Sequence, residues 1–264
     1  MPEIFPLLPP LPRSGERAQV ARPAGAGLAL SLVRLADGLR AQNRPLIVTC
    51  ADAQDVHHLS LEMAWFDPTL RVREFSDWET LPYDHFSPHP DLVSDRLKAL
   101  YALSTNSCDI LIVSATTATQ RLSPRSYVAA RTFALKKGQK LDVDKLRQQM
   151  TLGGYTHVTQ VVSQGEFAVR GGIIDIYPMG GTLPVRLDMF DDDIESIKAF
   201  EPDSQRTLYP INELSLLPAR EFPTDEAGRT VFRQRFREIF EGDPSKSSAY
   251  KDVSNGIFPG GIEY

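Results

Sequence analysis

The sequence predicts the α/β fold class: a parallel α/β domain divided into two sequence parts, with an α+β domain inserted between them. Up to about residue 131, apolar strand-like runs alternate with helical patterns, which is typical of a parallel sheet covered by helices. From there to about residue 218, alternating strands follow one another through turns rich in glycine and aspartate. A helical pattern with a phenylalanine at every fourth position comes next, and its apolar stripe needs a partner surface that the first part can supply.

The chain is therefore expected to comprise four segments. These are an extended proline-rich leader over residues 1–24, the first part of the α/β domain over 25–131, the inserted α+β domain over 132–218, and a truncated second part of the α/β domain over 219–264. Prolines at positions 2, 6, 9, 10, 12 and 23 exclude a regular helix or strand ladder from the leader.

The elements of the first part follow from apolar periodicity. A first helix is predicted from leucines at helical spacing, Leu28, Leu32, Leu35 and Leu39. Further helices are expected over about 52–66 and 91–103. The apolar run PLIVTC and the segments 71–75 and 109–114 are predicted to be strands, which completes the alternation.

The inserted domain is predicted to contain one helix, DVDKLRQQMTLGG, with Gly153–Gly154 as a left-handed cap. In the strand LPVRLDMF, alternation puts Val185, Leu187 and Met189 on the core face and Arg186, Asp188 and Phe190 on the opposite face. In FAVRGG, the same rule turns Phe167 and Val169 one way and Arg170 the other. The pair Gly171–Gly172 predicts a bulge or a close backbone approach. An exposed phenylalanine near arginines is typical of a protein-docking surface.

The last segment is expected to begin with a return strand, ELSLLPAREFP. Thr224 is predicted to cap the following helix, in which Phe232, Phe236 and Phe240 form one buried stripe. Arg233, Arg235 and Arg237 spread around that helix, so a solvated face is favoured and DNA contact is the lesser alternative.

Composition narrows the class of protein. A net charge of −5 disfavours a strong sequence-independent grip on DNA. The apolar runs are far shorter than the roughly 20 residues of a membrane span, and the start has no signal-peptide pattern, so a cytoplasmic protein without membrane contact is expected. Cys50 and Cys108 border apolar strands and are expected to be small reduced core residues.

No catalytic or cofactor motif is recognisable. The glycines of RPAGAGLALS lack the lysine that a phosphate-binding loop requires. The pairs His57–His58 and His85–His89 lack the helical geometry of a metal site, and the run Asp191–Asp193 is interpreted as a hairpin turn. The expectation is a chain that is not itself an enzyme and binds no cofactor or metal.

Similarity to a known family is carried by the segments DWETLPYDHFSPHPDLVSDRL, GGYTHVTQVVSQGEFAVRGGIIDIYP, DDDIESIKAFEPDSQRTL, LPAREFPTD and GIEY. These segments resemble the amino-terminal part of the bacterial transcription-repair coupling factors (Mfd) and, more loosely, the excision-repair helicase subunit UvrB. The resemblance implies a degenerate UvrB/helicase-like domain in two sequence parts that has lost its nucleotide motifs, with the inserted domain binding UvrA. Arg170, Arg186 and Phe190 match the family residues that contact UvrA.

The function implied is a UvrA-recruiting module in transcription-coupled nucleotide excision repair. The full-length family member would be an ATP-dependent DNA translocase that displaces stalled RNA polymerase. RNA polymerase and double-stranded DNA would be bound only through its missing carboxyl-terminal part, and a distant domain of that protein would mask the UvrA-binding surface. The alternatives are a UvrB-like DNA-binding or helicase subunit of the excision nuclease, and an idle structural remnant.

Overall fold

A computed structural model describes residues 12–82 and 84–263. In chain order, its helices are α1 Gly27–Arg40, α2 Ala53–Phe66, α3 Pro90–Ser104, α4 Ala115–Ala118, α5 Arg125–Ala130, α6 Val143–Leu152, α7 Glu226–Ile239 and α8 Ser248–Ser254. Its strands are β1 Leu46–Cys50, β2 Val72–Phe75, β3 Ile110–Ser114, β4 Phe133–Lys136, β5 Thr156–His157, β6 Glu166–Arg170, β7 Ile173–Ile176, β8 Val185–Phe190, β9 Asp193–Phe200, β10 Thr207–Ile211 and β11 Glu213–Leu216.

The described residues form two compact units. One comprises the described residues up to Asp77 together with Ala102–Gln120, and the other comprises those of Trp78–Tyr101 together with the described residues from Arg121 onward. The four-segment division expected from the sequence stays a prediction. Residues 12–24 contain no helix or strand, whereas the rest of the predicted leader lies outside the described residues. In the part of the chain that the structure describes, no helix has both the length and the apolar character needed to cross a membrane.

The first unit contains a parallel sheet of three strands in the order β1-β3-β2. The central strand β3 is buried at every position, as its continuous apolar run predicts. Ile110 and Ile112 on one face of β3 join Val56 and Met63 of α2 and Val33 of α1 in one core cluster. Asp52 begins α2 as predicted, with its carboxylate accepting a hydrogen bond from the backbone N–H of Asp55 at 2.8 Å.

The buried face of α1 is formed largely by small residues and includes only some of the spaced leucines. Ala29, Val33 and Ala36 are buried, whereas Leu28 and Leu32 are only partly buried at the edge of the same cluster. The small residues let the helix lie close to its neighbours, and the longer leucines fill space at its flanks. Periodicity identified the helix correctly, and Leu39 of the spaced leucines is buried.

The second unit contains a six-stranded sheet in the order β10-β9-β8-β7-β6-β5, antiparallel except for the β5–β6 pair. A separate antiparallel pair joins β4 to the return strand β11. The core includes Phe167, Ile174 and Leu187 from the six-stranded sheet and Leu146 and Met150 from α6. The predicted helix is therefore present, and Gly154 after it has φ +88, as a left-handed cap requires.

Helix α7 departs from two expectations. Its N-cap is Asp225, whose carboxylate accepts from the N–H of Gly228 at 2.9 Å, while the Thr224 hydroxyl donates to the carbonyl of Leu152. No residue of α7 is buried, so the predicted buried phenylalanine stripe is wrong. Two of its rings, Phe232 and Phe236, lie instead against the ring of Tyr250 in α8. A period-four apolar pattern shows which face is apolar but not what covers it.

Candidate functional site

The predicted docking residues lie on the six-stranded sheet, on the face opposite its core. Strands β6 and β7 form a hairpin closed by Gly171–Gly172, where Gly171 has φ +58. The bulge predicted at this pair is therefore wrong, but the close backbone approach is present. A Cβ at Gly172 would lie 3.2 Å from the carbonyl oxygen of Met189, and that glycine's own carbonyl accepts the Met189 N–H at 2.8 Å.

Strand β8 presents its residues as alternation predicts. Val185 and Leu187 are buried in the core and Met189 packs against it, whereas Phe190 is exposed. The pairing of β8 with β9 shifts by one residue after Asp188, and the extra residue lies on β9. Because β8 itself is not interrupted, its outward residues stay on one face up to the turn. Asp191 then closes the turn with φ +50, which confirms the aspartate run as a hairpin.

Asp175 of β7 lies at the centre of this outer face. It is directly opposite Arg186 in the strand register and is fully buried. The Arg186 guanidinium donates to both carboxylate oxygens, from Nε to Oδ1 at 2.7 Å and from Nη2 to Oδ2 at 2.9 Å. Arg170 Nη2 donates to the same Oδ2. The structure therefore brings the two predicted arginines together on one buried carboxylate.

Arg186 is held on several sides within the chain. Its guanidinium lies over the ring of Phe200 at 4.7 Å, and its Nη1 donates to the carbonyl of Gln205 at 3.3 Å. Only 17% of its side chain is exposed. The hydrogen bonds with Asp175 raise the pKa of the Arg186 guanidinium, so it stays charged. Arg186 thus has an intramolecular role in addition to any role in docking.

Arg170 and Phe190 are the more accessible members of the predicted site. The Arg170 side chain is 49% exposed and Phe190 is 68% exposed. Two guanidinium groups share one carboxylate, so this part of the face carries an excess positive charge. The neighbouring Asp188 is balanced by Lys198, whose Nζ lies 2.8 Å from its carboxylate. Of the two arginines on Asp175, Arg170 is the one that faces solvent.

The three predicted residues do not form one tight cluster. Arg186 and Phe190 are four positions apart on β8, which corresponds to about 13 Å between their Cα atoms at a rise of about 3.3 Å per residue. Ile173 lies between the predicted residues, paired with Arg170 on one side and with Asp188 on the other, and is 38% exposed. The resulting surface is a broad one that includes the exposed apolar side chains of Ile173 and Phe190 and the exposed guanidinium of Arg170.

Sequence reasoning missed two residues of this surface, Asp175 and Ile173. The available signal for Asp175 was a single charge inside the apolar run IIDIY, since an unpaired carboxylate is costly in such a strand. Ile173 gave less signal, because one exposed isoleucine at a strand end is common.

The residues of the other sites considered from the sequence lie at a helix start, in a turn and in ion pairs on a helix. Gly27 is the first residue of α1, and Asp191 and Asp192 form the turn before β9. Arg233 and Arg235 of α7 form ion pairs with Glu226 and Glu238, at 2.6 and 2.9 Å. Those two arginines are thereby partly neutralised on their own helix.

The histidines and cysteines complete the set of candidate ligands. His57 faces Glu74 and His89 faces Asp91. Among residues 12–82 and 84–263, no three His, Cys, Asp or Glu side chains are grouped as a metal site. Cys50 and Cys108 are both free thiols, and burial raises the pKa of Cys108 to about 11.

Arg170, Arg186 and Phe190, the predicted docking residues, lie within a segment that matches a known protein family. The family model described as the UvrB interaction domain matches residues 133–222, from the first residue of β4 to a point just beyond β11. The whole chain is 42% identical over 264 residues to the transcription-repair-coupling factor of Escherichia coli K12, of which it covers 23%. It is 44% identical over 226 residues, 84% of the chain, to that of Haemophilus influenzae Rd, covering 19% of it.

A more distant relative gives the same assignment. The transcription-repair-coupling factor of Myxococcus xanthus is 34% identical over 222 residues, 81% of the chain and 18% of the relative. The chain thus spans about a fifth of the length of the curated relatives it matches. Sequence identity along the chain and the matched domain agree: residues 133–222 match the UvrB interaction domain, and this protein belongs to the transcription-repair-coupling factor family.

Proposed function

We propose that this chain is the UvrA-recruiting module of a transcription-repair coupling factor and acts in transcription-coupled nucleotide excision repair. The observation that carries the proposal is the outer face of the six-stranded sheet. Within the matched domain, this face combines an exposed cation, Arg170, with an exposed aromatic ring, Phe190. Arginine and aromatic side chains are the residue types that contribute most to protein interfaces.

Docking on this face would use two kinds of contact. Arg170 has guanidinium N–H groups beyond the one that donates to Asp175, and these can pair with a carboxylate of UvrA. Phe190 projects from the end of β8 and can enter an apolar pocket, with Ile173 extending the apolar contact. A rigid sheet supports both, so little ordering entropy is lost on binding.

The chain itself is proposed to carry out no catalysis and to bind no cofactor. The glycine pair near α1 has no following lysine, which a phosphate-binding loop needs to reach the terminal phosphates. ATP-dependent translocation on double-stranded DNA and displacement of RNA polymerase are proposed for the whole protein, through parts of it outside this chain. Residues 25–131 and 219–264 are proposed as two sequence parts of one UvrB-like domain that has lost nucleotide binding.

Calorimetric titration of the chain with UvrA tests the proposal. The parent chain should bind, and Arg170→Ala/Phe190→Ala should bind at least about 30-fold more weakly, since a lost hot spot costs about 2 kcal/mol or more. Trp65→Ala is the matched control, because it removes an exposed aromatic ring from the other compact unit. It should bind like the parent. Absence of binding by the parent, or equal binding by the double variant, would overturn the proposal.

A parallel titration addresses the alternative of a DNA-handling subunit. Fluorescence anisotropy with labelled single- and double-stranded DNA at about 0.15 M salt should show no binding by the parent, given the net charge of −5. Tight binding to DNA together with no binding to UvrA would favour the UvrB-like alternative.

A further inference from the structure

We propose that Asp175 is a positioning residue for UvrA docking, because its buried carboxylate orders both arginines and holds Arg170 in the orientation that meets the partner. This inference rests on the proposed function. It concerns a residue that would not touch UvrA, since Asp175 has no exposed surface.

The hydrogen bonds to the Asp175 carboxylate give the two arginines different roles. Arg186 occupies both oxygens of Asp175, and its remaining Nη1 group bonds the Gln205 carbonyl. Its guanidinium also lies over Phe200, which is fully buried. Three of the five N–H groups of Arg186 are bonded inside the chain, so Arg186 fixes Asp175 in place and has fewer donors left for a partner than Arg170 has.

Asp175, itself held by Arg186, holds Arg170 in place. Its Nη2 shares the Oδ2 atom with Arg186, and the side chain is half exposed. A long arginine side chain loses conformational freedom when it is ordered, and the contact with Asp175 imposes much of that loss before UvrA binds. Without the carboxylate, Arg170 would be mobile and would face the like charge of Arg186.

Asp175 could also have the opposite effect on docking, so the direction in which UvrA affinity changes when Asp175 is neutralised distinguishes the two roles. If Asp175 mainly competed with a UvrA carboxylate for Arg170, neutralising it would strengthen docking. The bidentate pair with Arg186 argues against this, because it already uses the charge of Asp175 and leaves the Arg170 charge in excess. We therefore expect docking to weaken when the charge of Asp175 is removed.

Asp175→Asn is the test, with Asp109→Asn as its matched control. Asp109 is also a buried aspartate held by an arginine, with Arg71 donating to it at 2.6 and 2.9 Å, but it lies in the other compact unit. We expect Asp175→Asn to weaken calorimetric UvrA binding about tenfold or more and the control to change it less than about twofold. Unchanged or tighter binding by folded Asp175→Asn would overturn the inference.

A double-mutant cycle separates positioning from a general loss of structure. If Asp175 acts through Arg170, then adding Asp175→Asn to Arg170→Ala should weaken binding no further. Fully additive losses would overturn the inference. Failure of the parent to bind UvrA, by contrast, would remove the proposed function itself.

A second variant keeps the test decisive if Asp175→Asn does not fold. Asp175→Asn/Arg186→Gln replaces the buried ion pair with two neutral groups that can bond each other, so no buried charge is left unpaired. This double variant should bind UvrA as weakly as Arg170→Ala does. Binding at the parental level would contradict a positioning role for the carboxylate.

Discussion

Replacement of Phe190 by alanine should weaken UvrA binding while leaving the fold intact. A phenylalanine side chain offers about 150–250 Å² of surface. With 68% of Phe190 exposed, about 100–170 Å² remains for a partner to bury, a gross gain of about 2.5–4 kcal/mol at about 25 cal/mol per Å². Alanine retains part of this area and ordering costs offset another part, so a net loss of about 2 kcal/mol, or about 30-fold in Kd, is expected.

The assay is calorimetric titration of UvrA with the parent chain, Phe190→Ala and Phe190→Leu. Leucine keeps much of the apolar area without the flat ring, so its Kd should fall between the other two. Thermal unfolding checks the fold, and Phe190→Ala should lose less than about 1 kcal/mol of stability because the residue is on the surface. Equal Kd values for folded parent and Phe190→Ala, within about twofold, would refute Phe190 as a docking residue.

Three further predictions concern stability and reactivity. Phe167→Ala, which empties a fully buried position on the core face of β6, should cost about 3–5 kcal/mol in urea unfolding, and a loss below about 1 kcal/mol would contradict its place in the core. The hydrogen bonds from Arg71 lower the pKa of Asp109 below its unfolded value of about 3.9. Stabilisation from that pair should therefore be complete above about pH 5 and be lost as the pH falls through the folded pKa, so the stability difference between parent and Asp109→Asn should shrink on acidification. Burial raises the pKa of Cys108 to about 11, so iodoacetamide at pH 8 should label it more slowly than the partly exposed Cys50, as read by mass spectrometry of the folded chain. Equal labelling rates would indicate that the segment around Cys108 opens readily.

Periodicity was sufficient to locate most of the elements, because helices and strands bury their faces at different intervals. The apolar run DILIVS gave the fully buried β3, and the alternation of LPVRLDMF gave the correct two faces of β8. The Asp191 turn and the left-handed Gly154 also followed from local rules, since the conformations involved are ones that aspartate and glycine tolerate.

Faces that depend on a neighbouring element were predicted less well. For α1 the leucine spacing located the helix, but only the structure shows that Ala29 and Ala36 lie on its buried face. The phenylalanines of α7 were expected to be buried, but no residue of that helix is. In both cases the helix is correct, but what lies against it is not encoded in the sequence of a single helix.

The proposed docking surface, too, was predicted only in part from the sequence. Local alternation along β6 and β8 determined that Arg170, Arg186 and Phe190 point away from the core, and the resemblance of the surrounding segments determined the family. Only the tertiary structure showed that the two arginines meet on Asp175 and that Arg186 is largely covered while Arg170 is not. The reason is that strand alternation is a property of one strand, whereas an ion pair across β6, β7 and β8 depends on their register and order in the sheet.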